Sequence, residues 1–363
     1  MHEHDLSRRH FARLLGAGAA AAALPQSIVG AATPQAPVLL NGNENPLGPS
    51  PAAIKAMAEA LPHVFRYPSA QDGELEEAIA RHHGVSTDEV LLGNGSSDIL
   101  RLAAGAYAGK KVVTAAPTFE VIAMHTRTFG GEVVAIQLDR NHAHNVERMS
   151  EAAKSAGLVY VCNPNNPTAT ITPKARMRAL LDSVTAPLLV DEAYHHYATS
   201  SDYESVAPLV KTRPNLIVAR TFSKVHALAG VRVGYALANR ATITALRAQQ
   251  AFNVPSLLGC VAARAALLDE AHVARARKHN SETRAWLAQQ LHARGLAMLP
   301  SEANFVMIDL RRDVRPVIAT LREQGVRVGR PFAAMPNHLR VTIGLREEME
   351  RFVTTLARTL APA

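Results

Sequence analysis

The stretch that decides how this chain is interpreted is TFSKVHALAGVRVGY, residues 221–235. It follows the apolar run Leu216–Ala219, which predicts a buried strand. Lys224 therefore lies just past a strand end, with Ser223 beside it and the glycine-flanked Arg232 eight residues later. A nucleophilic lysine near an anion-binding arginine suits a covalent imine to a phosphorylated aldehyde. Taken alone, the segment is ambiguous, and a surface lysine near a glycine-rich turn is the simpler interpretation.

Three other segments carry groups that would complement such an aldehyde. The loop CNPNNPT (162–168) follows one apolar run, and Asp191 ends another, Leu188–Val190. Far downstream, the strand-like segment HLRVTIG (338–344) contains Arg340. Because ligands of α/β sheets bind where strands end, these segments can meet at one site.

Pyridoxal phosphate is the phosphorylated aldehyde that uses such a set of groups. Its ring nitrogen needs a carboxylate, its phenolic oxygen needs hydrogen-bond donors, and its substrate carboxylate needs a cation. Asp191 can fill the first role, Asn166 with Tyr194 the second, and Arg340 the third. Considered singly, Asp191 could cap a helix and Asn166 could be an ordinary turn residue.

Seven motifs in order resemble the fold-type I pyridoxal phosphate aminotransferases, close to the histidinol-phosphate aminotransferase group. They are NENPLGP (43–49), RYP (66–68), GNGS (93–96), NPNNPT (163–168), DEAY (191–194), SKVHALAGVRVGY (223–235) and LRVTIG (339–344) followed by REE (346–348). The resemblance implies an aminotransferase that works as a homodimer with shared active sites. It also implies an α/β fold with a three-layer α/β/α large domain, a mostly parallel sheet and a smaller α+β domain.

The resemblance also implies roles for individual residues. Lys224 would form the imine and move the substrate proton, with Asp191 and Tyr194 completing the catalytic set. The cofactor-binding residues would be Gly95, Ser96, Ser97, Phe119, Asn166, Asp191, Tyr194, Ser223, Lys224 and Arg232, with Tyr67 reaching the phosphate from the partner subunit. The substrate would contact Arg340, Asn166, Asn45 and Arg330, the last through a second anionic group; no metal site is expected.

Some of these assignments have simple structural alternatives. Ser96 could be a helix cap without a ligand, Tyr67 and Phe119 could be ordinary aromatic residues, and Arg330 could be a surface arginine. The chain also departs from the family pattern, because Ala169 stands where glycine is usual, Phe119 lacks a hydroxyl often present there, and the acid of the phosphate turn is shifted to Asp98. These departures bear on substrate choice rather than on the catalytic roles.

The order of apolar runs predicts the domain organisation. Strands buried on both faces are predicted at 112–113, 133–136, 158–161, 188–190, 216–219 and 234–238. Helices are predicted at 146–156, 174–183, 256–294, 314–324 and 347–360, with short strands at 304–309 and 339–343. We predict a signal peptide over 1–31, an N-terminal arm joining the small domain over 32–60, a large cofactor-binding domain over 61–255, and a linking helix with a small domain over 256–363.

The first 31 residues predict export. The twin-arginine pattern SRRHF (7–11) precedes the apolar run Leu14–Leu24 and a small-residue site near Val29–Ala31. The apolar run is shorter than the ~20 residues that span a bilayer, so we expect no stable membrane anchor. A disordered basic start is the alternative. A periplasmic or secreted enzyme that uses the twin-arginine machinery is therefore predicted.

The composition of the 363 residues restricts the other functions. The net charge of +8 is spread along the chain without an aromatic-interleaved basic stripe, so we expect no nucleic-acid partner. Cys162 and Cys260 are expected to be buried thiols.

The sequence therefore predicts a pyridoxal phosphate-dependent transfer of an amino group from a small-molecule donor to a 2-oxo acid such as 2-oxoglutarate. The donor could be histidinol-phosphate-like or aromatic. A decarboxylase or C–S lyase on the same fold is the first alternative, since fold does not decide the reaction. A non-catalytic sensor that binds the cofactor is the second, and we expect no room for the recognition module that it would need.

Overall fold

A computed structural model describes residues 36–68, 70–252 and 255–361. The predicted signal peptide over 1–31 lies outside these described residues. None of the described helices is both long enough and apolar enough to cross a membrane.

Strands and helices alternate along most of the chain. The strands are β1 (Val38–Leu40), β2 (Val90–Gly93), β3 (Lys111–Ala116), β4 (Glu132–Gln137), β5 (Leu158–Cys162), β6 (Leu188–Asp191), β7 (Leu216–Thr221), β8 (Gly234–Leu237), β9 (Ala297–Met298), β10 (Phe305–Asp309), β11 (Val326–Val328) and β12 (His338–Thr342). The α-helices are α1 (Pro51–Ala60), α2 (Gln71–His83), α3 (Ser96–Ala106), α4 (Val121–Thr128), α5 (Val146–Ala153), α6 (Lys174–Ser183), α7 (Arg240–Arg247), α8 (Leu257–Leu267), α9 (Glu270–His292), α10 (Val314–Glu323) and α11 (Arg346–Leu360).

A seven-stranded sheet forms the centre of the structure, in the order β2–β8–β7–β6–β5–β3–β4. The five strands β7, β6, β5, β3 and β4 run parallel to one another. Strand β8 is antiparallel to β2 and to β7. The predicted mostly parallel sheet is therefore confirmed.

Both faces of the sheet are covered by helices, because alternate residues of each strand point to opposite sides. In β5, Val159 and Val161 pack into the apolar layer that contains residues of α1, α2, α5, α6 and α8. Leu158 and Tyr160 pack into the opposite layer, which contains residues of α3, α4 and α7. Continuous burial on both faces explains why these strands are apolar throughout.

A separate apolar cluster lies around the shorter strands and the last two helices. Strand β10 pairs antiparallel with β12 and β9. Strand β1 joins this part of the molecule by pairing parallel with β11, with Val38 opposite Val326. The cluster draws on both of these strands, on the end of α9 and on α10 and α11.

Helix α9 and strand β2 are among the elements that differ from the sequence-based expectations. The predicted single helix over 256–294 is two helices, because the Asp269 side chain accepts a hydrogen bond from the His272 amide at 2.9 Å and caps a new helix there. Strand β2 was not predicted, and it pairs with β8 at the end of the sheet. Its apolar residues 90–92 match the pattern of the strands that were predicted, so the sequence did carry a signal for it.

The parallel strands bring their carboxyl ends to one edge. Cys162 at the end of β5 pairs with Asp191 at the end of β6, and Asp191 pairs with Ala219 in β7. Side chains that follow these three strands are therefore placed together.

Candidate active site

A cavity of about 300 Å³ lies at this edge of the sheet. Strand ends, the start of α3, the N-terminal segment and β12 all contribute to its lining. The predicted site residues that line it are Ser96, Ser97, Phe119, Asn166, Asp191, Tyr194, Ser223, Lys224, Arg232 and Arg340. Most of the predicted set is therefore brought together.

Lys224 is held in the cavity by its own backbone position and by the N-terminal segment. Its Nζ donates to the Gly42 carbonyl at 3.2 Å and lies 5.6 Å from the centre of the Tyr194 ring. Burial, followed by the positive charge of Arg340, lowers the pKa of Lys224 to about 8. A substantial fraction of the amine is therefore neutral and nucleophilic near neutral pH.

Asp191 is a buried carboxylate, only 2% exposed. It accepts hydrogen bonds from the Tyr160 hydroxyl at 3.2 Å and the Ala193 amide at 3.1 Å, and no described residue forms an ion pair with it. Burial raises the pKa of Asp191 to about 6, although these two hydrogen bonds oppose the rise. A carboxylate in this position would be stabilised by a cationic ligand.

Tyr194 and Asn166 present polar groups beside Lys224. The Tyr194 hydroxyl accepts a hydrogen bond from Asn43 Nδ2 at 3.1 Å, which leaves its own proton available for donation. Burial raises the pKa of Tyr194, so the hydroxyl keeps that proton. Asn166 Oδ1 accepts from Arg340 Nη1 at 2.9 Å, and this bond orients the amide group.

Arg340 lies on β12 and also lines the cavity. Its Nη2 donates to the Asn41 carbonyl at 2.9 Å, and its guanidinium lies 5.6 Å from the Phe305 ring centre and 5.3 Å from that of Phe332. The Nε atom is buried without a hydrogen-bond partner among the described residues. Arg340 is thus a positioned cation that no described carboxylate neutralises.

The start of α3 forms an anion-binding corner. Gly95 precedes the helix with φ +82°, a conformation that favours glycine, and a Cβ at this position would overlap the Arg232 guanidinium. Arg232 donates to Ser223 Oγ at 3.2 Å, and among the described residues no side chain caps the helix. The free helix amides, Ser96, Ser97 and Arg232 together suit a phosphate group.

Four predicted residues do not line the cavity. Gly95 immediately precedes α3. Asn45 is buried, and its amide donates to the Val225 carbonyl at 2.8 Å and accepts from the Leu47 amide at 3.1 Å, so it fixes the segment next to Lys224. Tyr67 is 75% exposed. Arg330 is also exposed, and it forms an ion pair with Glu120.

The sequence reasoning gave no role to several residues that line the cavity, among them Asn43, Glu44, Cys162 and Thr221. Thr221 positions Ser223, because its Oγ1 bonds to Ser223 Oγ at 2.9 Å and accepts from the Ser223 amide at 3.1 Å. The hydroxyl residue at the end of β7, two positions before the serine, was the available signal. Cys162 and Cys260 are both free, buried thiols.

Ala169 shows how the departure from the family pattern is accommodated. It adopts φ +62°, the left-handed conformation that glycine would take without strain, and it is fully buried. Its methyl group packs with Tyr194, Ala303 and Phe305. The loop therefore keeps the backbone conformation that a glycine would favour.

The residues present fit pyridoxal phosphate. The buried Asp191 lacks a cationic partner among the described residues, the start of α3 offers uncapped amides, and Gly95 has no Cβ that would fill the corner occupied by Arg232. A pyridinium ring, a phosphate and an aldehyde would meet Asp191, the α3 corner and Lys224 respectively. Among the described residues, no cluster of histidine, cysteine or acidic side chains is arranged to hold a metal ion.

Comparisons with known proteins agree with this geometry. The family model for class I and II aminotransferases matches residues 36–356. Histidinol-phosphate aminotransferase from Moorella thermoacetica is 42% identical over 89% of this chain and 86% of its own length. Histidinol-phosphate aminotransferase 2 from Pseudomonas aeruginosa is 42% identical over 90% of each chain. The structure of histidinol-phosphate aminotransferase from Sinorhizobium meliloti in complex with pyridoxal-5'-phosphate is 26% identical, with a TM-score of 0.84, over 93% of this chain and 99% of that one.

Proposed function

The chain belongs to the class I and II aminotransferase family and is a pyridoxal phosphate-dependent transaminase, and we propose that its amino donor is histidinol-phosphate-like or aromatic and its acceptor a 2-oxo acid such as 2-oxoglutarate. The observation that carries the proposal is that Lys224, Asp191 and Arg340 line the same cavity. A nucleophilic amine, a buried carboxylate and an unneutralised cation are the groups that transamination requires.

Lys224 is the proposed catalytic base. When bound, the cofactor supplies an aldehyde that holds the amino group and a ring that accepts electrons from the substrate carbon. Lys224 would hold the aldehyde carbon covalently in the resting enzyme. As a free amine, Lys224 would remove the proton from the substrate Cα and donate it to the carbon that carries the aldehyde. A pKa near 8 suits an amine that must both accept and release a proton.

The other residues orient the cofactor and substrate. Asp191 would accept a hydrogen bond from the ring nitrogen and keep it protonated, while Tyr194 and Asn166 would donate to the phenolic oxygen. Arg340 would grip the anionic group of the substrate in a planar fork. With that group fixed, the Cα–H bond would be free to face the Lys224 amine, and proton transfer would be favoured over loss of a carboxylate.

We propose a homodimer in which Tyr67 reaches the phosphate of the partner subunit. Tyr67 does not line the cavity of its own chain, and several apolar side chains near it in sequence are exposed, namely Leu61, Val64 and Phe65. A second copy would cover them. Cross-linking and size-exclusion chromatography test the oligomeric state. Mixing Tyr67→Phe subunits with Lys224→Ala subunits tests whether the active sites are shared, because a mixed dimer would then contain one intact site and regain activity.

The relatives' names point to histidinol phosphate, and an aromatic amino acid also carries an amine and an anionic group. The test is a panel of amino donors, histidinol phosphate and aromatic amino acids among them, incubated with 2-oxoglutarate and the cofactor-loaded enzyme. Glutamate formation identifies the donor. Release of carbon dioxide or sulfide without glutamate would instead favour a decarboxylase or a C–S lyase.

We also propose export by the twin-arginine route, on the basis of residues 7–31 of the sequence. Fusion of the first 35 residues to a folded reporter tests this. The reporter should reach the periplasm, and replacement of Arg8 and Arg9 by lysine should hold it in the cytoplasm. Equal distribution of both fusions would contradict the proposal.

A further inference from the structure

An ion pair lies next to the active-site cavity. Arg330 Nη2 donates to Glu120 Oε2 at 2.6 Å, and the two side chains are 55% and 70% exposed. Glu120 directly follows Phe119, which lines the cavity, whereas Arg330 follows β11 in the part of the molecule that also carries β12. The pair therefore connects the segment that contains Phe119 with the part of the molecule that carries Arg340.

Arg330 is also close to the substrate-binding cation Arg340, because both contact the same ring. The Arg330 guanidinium lies 4.4 Å from the centre of Phe332, and that of Arg340 lies 5.3 Å from the same centre. The positive charge of Arg330 contributes to lowering the pKa of Arg340, after burial. A ligand held by Arg340 therefore has a second guanidinium within its electrostatic reach.

We propose that Glu120 is a specificity-determining residue, which competes with the ligand for Arg330. A ligand with a single negative charge is held by Arg340 and leaves the Glu120–Arg330 pair intact. A ligand with a second negative charge, such as a phosphate dianion or a dicarboxylate, gains Arg330 only by displacing Glu120. The inference rests on the proposed function, since it takes Arg340 as the site of the substrate anion.

Because the Glu120–Arg330 pair is exposed to solvent, a ligand can compete with it. Solvent-exposed ion pairs are weak, so a ligand anion can displace Glu120, but the displacement still reduces the ligand's affinity. The expected effect on the Kd of a dianionic ligand is about threefold to fivefold. Successive half-reactions could then use one site for ligands of different charge.

The test compares two unreactive carboxylates on the cofactor-loaded enzyme by isothermal titration calorimetry. Butyrate carries one negative charge, and glutarate carries two. In Glu120→Gln, the Kd of glutarate should fall about threefold to fivefold, and that of butyrate should change much less. Arg330→Gln should weaken glutarate, and adding Glu120→Gln to it should then have no effect.

Glu350→Gln is the matched control, because it removes the same charge from another exposed pair, Arg346–Glu350 at 2.9 Å. It should leave both Kd values unchanged. Equal changes for both ligands in Glu120→Gln, or no change in either, would overturn the inference.

Failure of the inference and failure of the proposed function are distinguishable. If the binding pattern holds while no donor in the panel yields glutamate, the competition stands and the proposed reaction fails. If glutamate forms but Glu120→Gln alters neither Kd, the reaction stands and Glu120 has no part in specificity.

Discussion

Lys224 combines partial burial with a hydrogen-bond partner that carries no charge. It is half-buried, and its Nζ is held by the Gly42 carbonyl rather than by a carboxylate. The amine is therefore directed into the cavity without being locked in the charged form. A lysine of this kind can form a covalent bond with an aldehyde and later act as a base.

Lys224→Ala should bind the cofactor without a covalent bond and lose roughly 10³-fold in transamination rate, since proton transfer by a positioned base contributes that order. Borohydride reduction followed by intact-mass measurement tests whether the cofactor is bonded covalently to the protein. The wild-type protein should gain the mass of the reduced cofactor, and the variant should not. Lys174→Ala, which removes a surface lysine bonded to the Ser201 carbonyl, should behave as the wild type.

The pH dependence of cofactor loading should report the lowered pKa of Lys224. Only the neutral amine attacks an aldehyde, so the loading rate of the cofactor-free protein should rise about tenfold per pH unit below pH 8 and level off above it. Stopped-flow absorbance measures this rate. A rate that kept rising to pH 10 would show that burial does not lower the pKa.

The residues nearest the chemistry were predictable from sequence because their places are fixed by short motifs at strand ends. Lys224, Asp191 and Asn166 each lie at or just after the end of a buried strand, so the parallel sheet predicts that they lie close together. Asn45 was predicted to contact substrate, but the structure turns its amide toward the Val225 carbonyl, and Asn43 and Glu44 line the cavity instead. Which side chain of a loop faces inward depends on backbone dihedrals, such as φ +52° at Asn43, that composition does not reveal.

At the scale of elements, the start of α3 and the segment that carries Arg232 fit together only if position 95 has no side chain. Ser96 and Ser97 line the cavity because the chain turns sharply at Gly95. The same turn admits the Arg232 guanidinium, which donates to the Asn94 carbonyl at 3.3 Å. The anion-binding corner is thus formed by the start of a helix together with a neighbouring loop.

Gly95→Ala should weaken cofactor binding and destabilise the protein by about 1–3 kcal/mol, because it adds left-handed strain to a collision with Arg232. Cofactor titration and urea unfolding measure the two effects. Gly109→Ala is the matched control, since Gly109 has φ +69° and no atom of the described residues lies within 4 Å of where its Cβ would be. Its free energy of unfolding should fall by about 1–2 kcal/mol, from the backbone strain alone, and its cofactor affinity should stay unchanged. Equal loss of affinity in both variants would show that Arg232 is not involved.

Elements whose pattern is local were predicted well, and those set by tertiary contacts were not. Helix α6 begins and ends at the predicted residues 174 and 183, and the predicted central strands all lie in the sheet. The break between α8 and α9 was missed, because a single capping side chain, Asp269, interrupts a continuous helical pattern. Strand β1 has three residues and exists through its pairing with β11, so its own sequence could not define it.

At the scale of the whole molecule, the face of the sheet away from Asp191 carries a cluster of histidines. A cavity of about 420 Å³ there is lined by His82, His195, His196 and His226. Arg220 also lines it, and this arginine is paired at 2.8 Å with Glu192, the residue after Asp191. Burial lowers the pKa of all four histidines, and the positive charge of Arg220 acts in the same direction.

This cluster should make the fold sensitive to acid. A histidine whose pKa is lower in the folded state than in the unfolded state stays neutral on folding, so the unfolded chain binds more protons below pH 6.5. Stability is then lost as pH falls from about 6.5 toward the folded pKa. For His226, which is 5% exposed, burial lowers the pKa to about 3, so its contribution extends over that whole range.

His226→Phe should therefore reduce the loss of stability on acidification. The ring packs against Phe222 at 5.0 Å between centres, so phenylalanine keeps most of the contact while removing the titrating group and a buried Nδ1 without a described partner. Between pH 7.5 and pH 5, the unfolding free energy of the variant should fall by about 2 kcal/mol less than that of the wild type, measured by urea unfolding of the cofactor-loaded protein. The value at pH 7.5 calibrates the cost of the substitution itself. His292→Gln, at an exposed position, should lose as much stability as the wild type, and an equal loss in His226→Phe would show that the buried histidines do not set the acid limit of this fold.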